Sequence, residues 1–300
     1  MQSSEGYVTT DDGVRLFFQT QGNGARTVIV PNAILLFAAF RILADDCTLI
    51  SYDMRNRGRS DRISDSSRLK RGIHHDVEDL EAIRRHFGIA KVDVIGHSYL
   101  GLMTILYTLR YPDRVHRVVL IGSMPPNPGK QYPAHLTGAD ATLLEVSAKL
   151  GQLLKEDPSD DPKEFGKTWW SLMRVLFVVN PADAGKIHSP SGDLPKESIV
   201  NGMKHWSENV MPSIQALNLT AEEIAKVKAP VLTIHGTRDR QAPYGGGREW
   251  AMLLPDARLV TVENAAHVPW IEAPEKVFGS IRTFLGGAWP EAARKVESIE

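Results

Sequence analysis

The chain has 300 residues, 42% of them hydrophobic, which is enough to bury a large core in one domain, with or without an insertion. Its 35 basic and 36 acidic residues give a formal net charge of −1, and this balance argues against nucleic acid and against an anionic membrane as partners. No apolar stretch approaches the roughly 18 residues of a membrane-spanning helix, and the N-terminus lacks a signal-peptide layout, so we expect a cytoplasmic protein.

Short β-rich runs alternate with helical patterns in the first part of the chain. A hairpin is predicted at the start, where YVTT and VRLFFQT flank the turn residues Asp12-Gly13. HHDVEDLEAIRRHFG has apolar residues spaced for one face of a helix that ends at Gly88. Strands that alternate with helices predict a mostly parallel sheet with helices on both faces. The further strands predicted here are TVIVP (27–31), TLISYD (48–53), VDVIGH (92–97) and VHRVVLIG (115–122).

The alternation stops in the middle of the chain and resumes later. From Met124 to about Val227 the sequence is helical and loop-like, is rich in Pro and Trp, and contains no convincing strand. Strands return at PVLTIHG (230–236) and RLVTVEN (258–264), and the helix PEKVFGSIRTFL closes the pattern. We therefore predict an α/β core formed by residues 1–123 and 228–300, and a helical cap or lid formed by residues 124–227.

Polar residues follow several of the predicted strands. In an open parallel sheet, ligands bind outside the carboxyl ends of the strands. Ser98 follows VDVIGH, Asp239 follows VLTIHG, and His267 follows LVTVEN. Each alone has a structural explanation, as a helix cap, a turn residue or a packed histidine. Their joint occurrence in this order favours a catalytic triad, with Asp239 as the first candidate for the acid and Glu263 as an alternative.

Four stretches of this sequence are characteristic of one superfamily. They are YDMRNRGRSDR (52–62), GHSYLG (96–101), HGTRDRQAP (235–243) and NAAHVPWIEAPE (264–275). From about residue 7 to 286 the chain resembles the α/β-hydrolase superfamily, in the branch that holds proline iminopeptidases, small esterases and lactonases. The resemblance implies the α/β-hydrolase fold and acyl transfer in which Ser98 attacks, His267 is the base and Asp239 orients the imidazole.

Two positions depart from the pattern of that superfamily. The resemblance implies an oxyanion hole with two N–H donors, of which the first is expected to be the backbone N–H of Tyr99, after Ser98. The second comes from Pro31-Asn32-Ala33, where the superfamily usually has His-Gly-Gly or His-Gly-x. Proline has no N–H, so the donor is Ala33, or else Asn32. The other departure is Leu100, which takes the place of the last glycine in Gly-x-Ser-x-Gly.

Apolar residues near these positions are candidates for a substrate pocket. ILLFAAF (34–40) is unusually apolar for a loop at a site entrance, although packing on the core explains it equally well. Aromatic residues of the predicted cap either shape the pocket or join the cap helices. Trp270 either walls the site or packs inside. The residues predicted to bind substrate are Asn32, Leu35, Phe37, Trp169, Trp170, Met173, Trp206 and Trp270.

These patterns predict a serine hydrolase, without cofactor or metal, that cleaves a small, largely apolar ester or lactone through an acyl-enzyme. One alternative is an aminopeptidase or amidase like the proline iminopeptidases, which needs a cap carboxylate to hold the substrate ammonium. The other is a small-molecule receptor that keeps the triad but turns over slowly. The candidate carboxylates for the aminopeptidase are Glu145, Glu156, Glu164 and Glu208.

The remaining polar groups are expected to be structural. His97 is expected to support the nucleophile. His74, His75 and Asp76 are adjacent on a helix, so they point in different directions and do not predict a metal site. We expect a small molecule as the partner, and the sequence does not define the oligomeric state. A solvated loop with internal ion pairs is expected to contain Arg55, Arg57, Arg59 and Arg62.

Overall fold

A computed structural model describes residues 3–155, 160–188 and 198–300. Within these ranges one eight-stranded sheet has the order β1-β2-β4-β3-β5-β6-β7-β8. β2 pairs antiparallel with β1 and β4, and all other neighbours are parallel. This confirms the mostly parallel sheet. The strands are β1 (Ser3–Thr9), β2 (Arg15–Gln21), β3 (Thr27–Pro31), β4 (Thr48–Tyr52), β5 (Val92–His97), β6 (Val115–Ile121), β7 (Val231–Gly236) and β8 (Ala257–Val262).

Helices cover both faces of this sheet. None of the helices in the described ranges combines the length and the apolar character that a membrane span requires. The helices are α1 (Ala33–Phe40), α2 (Ile73–His86), α3 (Tyr99–Arg110), α4 (Ala141–Leu153), α5 (Pro162–Leu176), α6 (Ser198–His205), α7 (Met211–Gln215), α8 (Ala221–Ile224), α9 (Tyr244–Leu253), α10 (Pro269–Glu272) and α11 (Pro274–Leu285).

Two apolar cores lie on the two faces of the sheet. Successive strand residues point to opposite faces, so Ile29 joins one core and Val28 joins the other. The first core includes Leu80 of α2 and residues of α3, and the second includes Leu36 of α1 and Ile281 of α11. Central strands such as β3, β5 and β7 are therefore buried on both faces, whereas the edge strand β1 is mostly exposed.

The inserted segment between β6 and β7 contains α4 to α8, and its described parts contain no strand. It contributes to both cores. Val210 and Ile214 belong to the first core, whereas Trp170 and Phe177 belong to the second. The division into a core and a cap at residues 124 and 227 stays a prediction.

The arginine-rich loop after β4 differs from the expectation. Ion pairs are present, since Arg59 lies 2.8 Å from Asp53 and Arg55 lies 2.6 Å from Asp79 and 3.0 Å from Asp12. The prediction of a solvated loop is wrong for Arg55, which is only 1% exposed. Its charge is buried because Asp79 of α2 neutralises it through two hydrogen bonds.

Candidate active site

Three polar residues lie at the carboxyl edge of the sheet. Ser98 directly follows β5, Asp239 comes shortly after β7, and His267 comes shortly after β8. β6 lies between β5 and β7, and β8 is the outer neighbour of β7. Because these strands are parallel, their carboxyl ends share one edge of the sheet, and the three residues lie along it.

His267 and Asp239 form a buried hydrogen-bonded pair. Nδ1 of His267 lies 2.9 Å from Oδ2 of Asp239, and Nδ1–H donates because a carboxylate only accepts. Oδ1 of Asp239 accepts the backbone N–H groups of Gln241 and Ala242 at 2.8 and 2.9 Å. Burial alone would raise the pKa of Asp239, but the charge of His267 and the hydrogen bonds from His235 and His267 hold it well below its ordinary value. Asp239 is therefore ionised, and because Nδ1 of His267 bonds to it, Nε2 is the ring nitrogen left to act as a base.

A second histidine and a glycine complete the surroundings of Asp239. Nε2 of His235 lies 3.3 Å from Oδ2 of Asp239 and 3.0 Å from the carbonyl oxygen of Ala242, so two acceptors share its N–H. Gly122 follows β6 with a φ of +49°, and a Cβ atom there would lie 3.1 Å from Oδ2 of Asp239 and 3.2 Å from Nδ1 of His267. The sequence does not mark either residue as part of the site. The one indication for His235 is that it precedes Asp239 by four residues.

Ser98 lies in the strained turn that a nucleophile elbow requires. Its φ and ψ are 60° and −133°, and a positive φ is uncommon for residues other than glycine. A Cβ atom at Gly96 would clash with the carbonyl oxygen of Leu100, and one at Gly101 would clash with Ser123. Leu100 itself is buried and belongs to the first core. The leucine therefore points away from the turn, and Gly101 makes the close contact that the elbow needs.

His97 connects the elbow to the segment that carries His267. Nε2–H of His97 donates to the backbone carbonyl of His267 at 2.9 Å, and the two ring centroids are 4.5 Å apart. Burial and the neighbouring His267 lower the pKa of His97 to about 3, so its ring is neutral at physiological pH. His97 thus has a supporting position, as the sequence suggests. The hydrogen bonds between described residues do not join Ser98 to His267, and catalytic contacts of this kind often tighten only when substrate binds.

The two residues predicted to form the oxyanion hole are each the first residue of a helix. Tyr99 is the first residue of α3 and Ala33 is the first residue of α1, and the N–H of a first helical residue has no acceptor within its helix. Asn32 adopts a left-handed conformation with a φ of 74°, and its own N–H donates to the carbonyl oxygen of Tyr52 at 2.9 Å. The Asn32 N–H is thus already used, and Ala33 as the second oxyanion donor stays a prediction.

The residues predicted to bind substrate divide between the two cores. Half-buried side chains packed against the second core include Leu35, Phe37, Trp169 and Met173, and Trp170 is buried within it. Trp270 is buried against the rings of Phe40 and His97, at centroid distances of 5.1 and 5.0 Å, so it packs inside.

The two other residues in that set lie elsewhere. Trp206 packs against the first core, with its ring 4.9 Å from the ring of Tyr99. Asn32 is partly exposed on the loop before α1. The set therefore does not form one cluster, and its half-buried members are the ones with surface to offer a substrate.

Polar residues elsewhere in the described ranges do not form a metal centre. No group of three or more His, Cys, Asp or Glu side chains in those ranges has an arrangement that would hold a metal ion. His75 and Asp76 are buried on α2, whereas His74 is more exposed.

Comparisons with known proteins agree with this architecture. A family model described as alpha/beta hydrolase fold matches residues 36–274. The bifunctional esterase/perhydrolase DCH of Acinetobacter calcoaceticus is 25% identical over 291 residues, covering 89% of this chain and 95% of that protein. A proline iminopeptidase of Heyndrickxia coagulans is 24% identical over 294 residues, covering 94% and 98%.

A solved structure shows the same fold. The esterase EaEST from Exiguobacterium antarcticum superimposes with a TM-score of 0.71 at 17% identity, over 95% of this chain and 100% of that one. Together, the family model and the relatives support hydrolase activity. The chain belongs to the alpha/beta hydrolase family.

Proposed function

We propose that this protein is a serine hydrolase that cleaves a small, largely apolar ester or lactone through an acyl-enzyme intermediate. The observation that carries the proposal is the buried 2.9 Å pair of His267 and Asp239 at the sheet edge. Ser98 stands in a strained turn at the same edge, held to the His267 segment through His97. Hydroxyl, imidazole and carboxylate in this order are the components of acyl transfer by a serine.

The proposed mechanism assigns one step to each group. Nε2 of His267 takes the proton of Ser98 as Oγ attacks the carbonyl carbon. Asp239 holds the imidazole tautomer and stabilises the imidazolium. The N–H groups of Tyr99 and Ala33 stabilise the oxyanion, each worth about 3 kcal/mol in comparable sites. His267 then protonates the leaving group, and a water molecule deacylates Ser98 by the same route.

The surroundings of the site support an apolar acyl or alcohol group. Leu35 and Phe37 lie two and four residues after Ala33, the proposed oxyanion donor, and both are half-buried rather than enclosed in the core. Phe177 lies with its ring centroid 5.1 Å from that of His267. A pocket with apolar walls and a few polar groups suits a small ester.

An aminopeptidase is the second candidate, since three relatives are named proline iminopeptidases. The carboxylates considered for holding a substrate ammonium are poorly suited to it. Glu145, Glu164 and Glu208 are each at least half exposed, and each lies within 4 Å of a lysine on its own surface segment. Glu156 lies outside the described residues. Ester hydrolysis therefore remains our first proposal, and amide hydrolysis the second.

The experiment compares the parent protein with Ser98→Ala, using a fluorophosphonate probe, 4-nitrophenyl butyrate and proline 4-nitroanilide. We expect labelling of the parent and not of the variant, and turnover of the ester well above that of the anilide. A preference for the anilide would reverse the order of the two candidates. Labelling with negligible turnover on a broad ester panel would indicate a receptor. Ester hydrolysis by Ser98→Ala at the parental rate would end the proposal.

A further inference from the structure

A cluster of buried polar side chains lies next to Tyr99, the residue after Ser98. Native proteins leave few buried polar atoms unsatisfied. In the parts of the chain that the structure describes, most such atoms without a hydrogen-bond partner lie in this polar cluster. Their concentration at one place indicates that a polar ligand group belongs there. The atoms are Tyr52 Oη, Arg57 Nε, His75 Nδ1, Asp76 Oδ2 and both ring nitrogens of His205.

Hydrogen bonds and electrostatic interactions connect members of the polar cluster. Nη1 of Arg57 donates to the hydroxyl of Tyr99 at 2.8 Å, and the guanidinium carbon lies 5.3 Å from the centre of that ring. Burial raises the pKa of Asp76, while the charge of Arg57 and the hydroxyl of Tyr99 oppose that rise. Burial and then the charge of Arg57 lower the pKa of His205 to about 3. Asp76 and His205 therefore both lie within the electrostatic reach of Arg57.

The charge of Arg57 is incompletely balanced. Arg55, two residues earlier, pairs with the buried carboxylate of Asp79 at 2.6 Å, whereas Arg57 donates to the neutral hydroxyl of Tyr99. The pKa of Asp76 is raised to about 7, so near neutral pH this carboxyl carries only about half of a negative charge. An additional anion beside Arg57 would therefore be stabilised.

The polar cluster lies between the elbow and the inserted helices. Tyr99 provides the proposed oxyanion N–H, and its ring contacts Trp206 of the insertion. The loop that carries Arg57 is held to the start of α6, where the N–H of Gly58 donates to Oγ of Ser198 at 2.8 Å. Arg57 itself is half-buried rather than enclosed. Arg57 therefore keeps some exposed surface while bonding to Tyr99, the residue that follows Ser98.

We propose that the polar cluster is a subsite for a carboxylate group of the substrate, with Arg57 as its charged anchor. The proposal rests on the proposed function and narrows the substrate class to esters that carry one carboxylate besides their apolar part. Nε–H of Arg57, the hydroxyl of Tyr52 and one N–H of neutral His205 are the donors. A carboxylate accepts several hydrogen bonds and binds strongly to a guanidinium. One ligand group thus offers acceptors to these three donors and balances the charge of Arg57, whereas Oδ2 of Asp76 and the second ring nitrogen of His205 are not satisfied by it.

The test compares anionic and neutral esters of matched size. The first pair differs by a carboxylate on the acyl side and consists of mono-4-nitrophenyl glutarate and 4-nitrophenyl valerate. The second pair differs by a carboxylate on the alcohol side and consists of 4-carboxyphenyl acetate and 4-methylphenyl acetate. For the parent we expect higher kcat/KM with the anionic member of at least one pair. Arg57→Gln should lower kcat/KM for the anionic ester about 10- to 100-fold, which is the range for a hydrogen bond to a charged group. The kcat/KM for the neutral ester should fall less.

Two further variants control for charge and for folding. Arg110→Gln removes a positive charge from an exposed side chain of α3 and should keep the preference for the anionic ester. Arg57→Lys retains the charge and should keep part of that preference. Equal losses for both esters in Arg57→Gln would overturn the proposal, and so would a parent with no preference in either pair.

Binding without turnover separates this proposal from the proposed function. Calorimetry measures the binding of monomethyl glutarate and of methyl valerate to Ser98→Ala. The same two measurements are then made on the double variant Ser98→Ala/Arg57→Gln. Binding of the anionic ester that depends on Arg57 supports the subsite even if the parent hydrolyses no ester. Equal binding by both proteins refutes the subsite even if Ser98 proves to be the nucleophile.

Discussion

Replacing Leu100 by glycine restores the Gly-x-Ser-x-Gly pattern, and we expect the change to destabilise the protein. Leu100 is 2% exposed and belongs to the first core, together with residues of α2 and α7. Loss of a buried leucine side chain costs about 2–5 kcal/mol of the free energy of unfolding, and glycine in a helix costs roughly 0.5–1 kcal/mol more. The expected loss of about 3–6 kcal/mol is a large share of the 5–15 kcal/mol that is typical of a folded domain.

Urea unfolding followed by tryptophan fluorescence measures this loss. Leu100→Ala removes the side chain without the glycine, so it should be more stable than Leu100→Gly by roughly 0.5–1 kcal/mol. Leu144→Ala is the control, because Leu144 is an exposed leucine of α4, and its free energy of unfolding should change by less than about 0.5 kcal/mol. If Leu100→Gly were as stable as the parent and hydrolysed esters faster, the leucine would be an impediment at the elbow, and the packing argument would be refuted.

Three further changes test the surroundings of the site. Gly122→Ala places a Cβ atom against Asp239 and His267 at a positive φ, so we expect thermal unfolding to show a loss of about 1–2 kcal/mol and kcat/KM to fall; parental values of both would contradict this. His235→Phe removes a donor to Asp239, and we expect kcat to fall about 10- to 100-fold, whereas an unchanged kcat in a folded variant would exclude the role. The pKa of Asp76 is raised to about 7 from its ordinary 3.8, so the native state holds this proton more tightly than the unfolded chain. The parent should therefore lose stability as pH rises from about 4 to 7, by up to about 4 kcal/mol. Asp76→Asn should flatten that part of the profile in urea unfolding, and an unchanged slope would show that Asp76 does not titrate there.

Local patterns in the sequence predict most of the fold. TVIVP and VDVIGH are short apolar runs bounded by polar or turn residues, and they form β3 and β5. The same reading places Ser98, Asp239 and His267 beyond strand ends, because a strand boundary depends mainly on nearby residues. The conformation of Ser98 also follows from local sequence, since Gly96 and Gly101 leave room for the turn.

Features made by distant segments could not be predicted in this way. Arg55 is buried because Asp79, on a helix further along the chain, neutralises it. The position of Trp270 is decided by rings of Phe40 and His97, which come from two other elements. The polar cluster collects side chains from β4, the loop after it, α2 and α6. The sequence alone does not show whether a charged or aromatic residue faces solvent or packs against another such residue.

The inserted helices hold on to the sheet from two sides. Val210 is buried in the apolar core on one face of the sheet, and Phe177 is buried in the apolar core on the other face. A rigid-body movement of the inserted segment away from the sheet would therefore expose apolar surface to water on both faces. Each buried side chain of this size contributes roughly 1.5–3 kcal/mol, so such a hinge would be costly. Substrate is therefore expected to enter through small displacements of individual helices and side chains, while the rest of the inserted segment keeps its position.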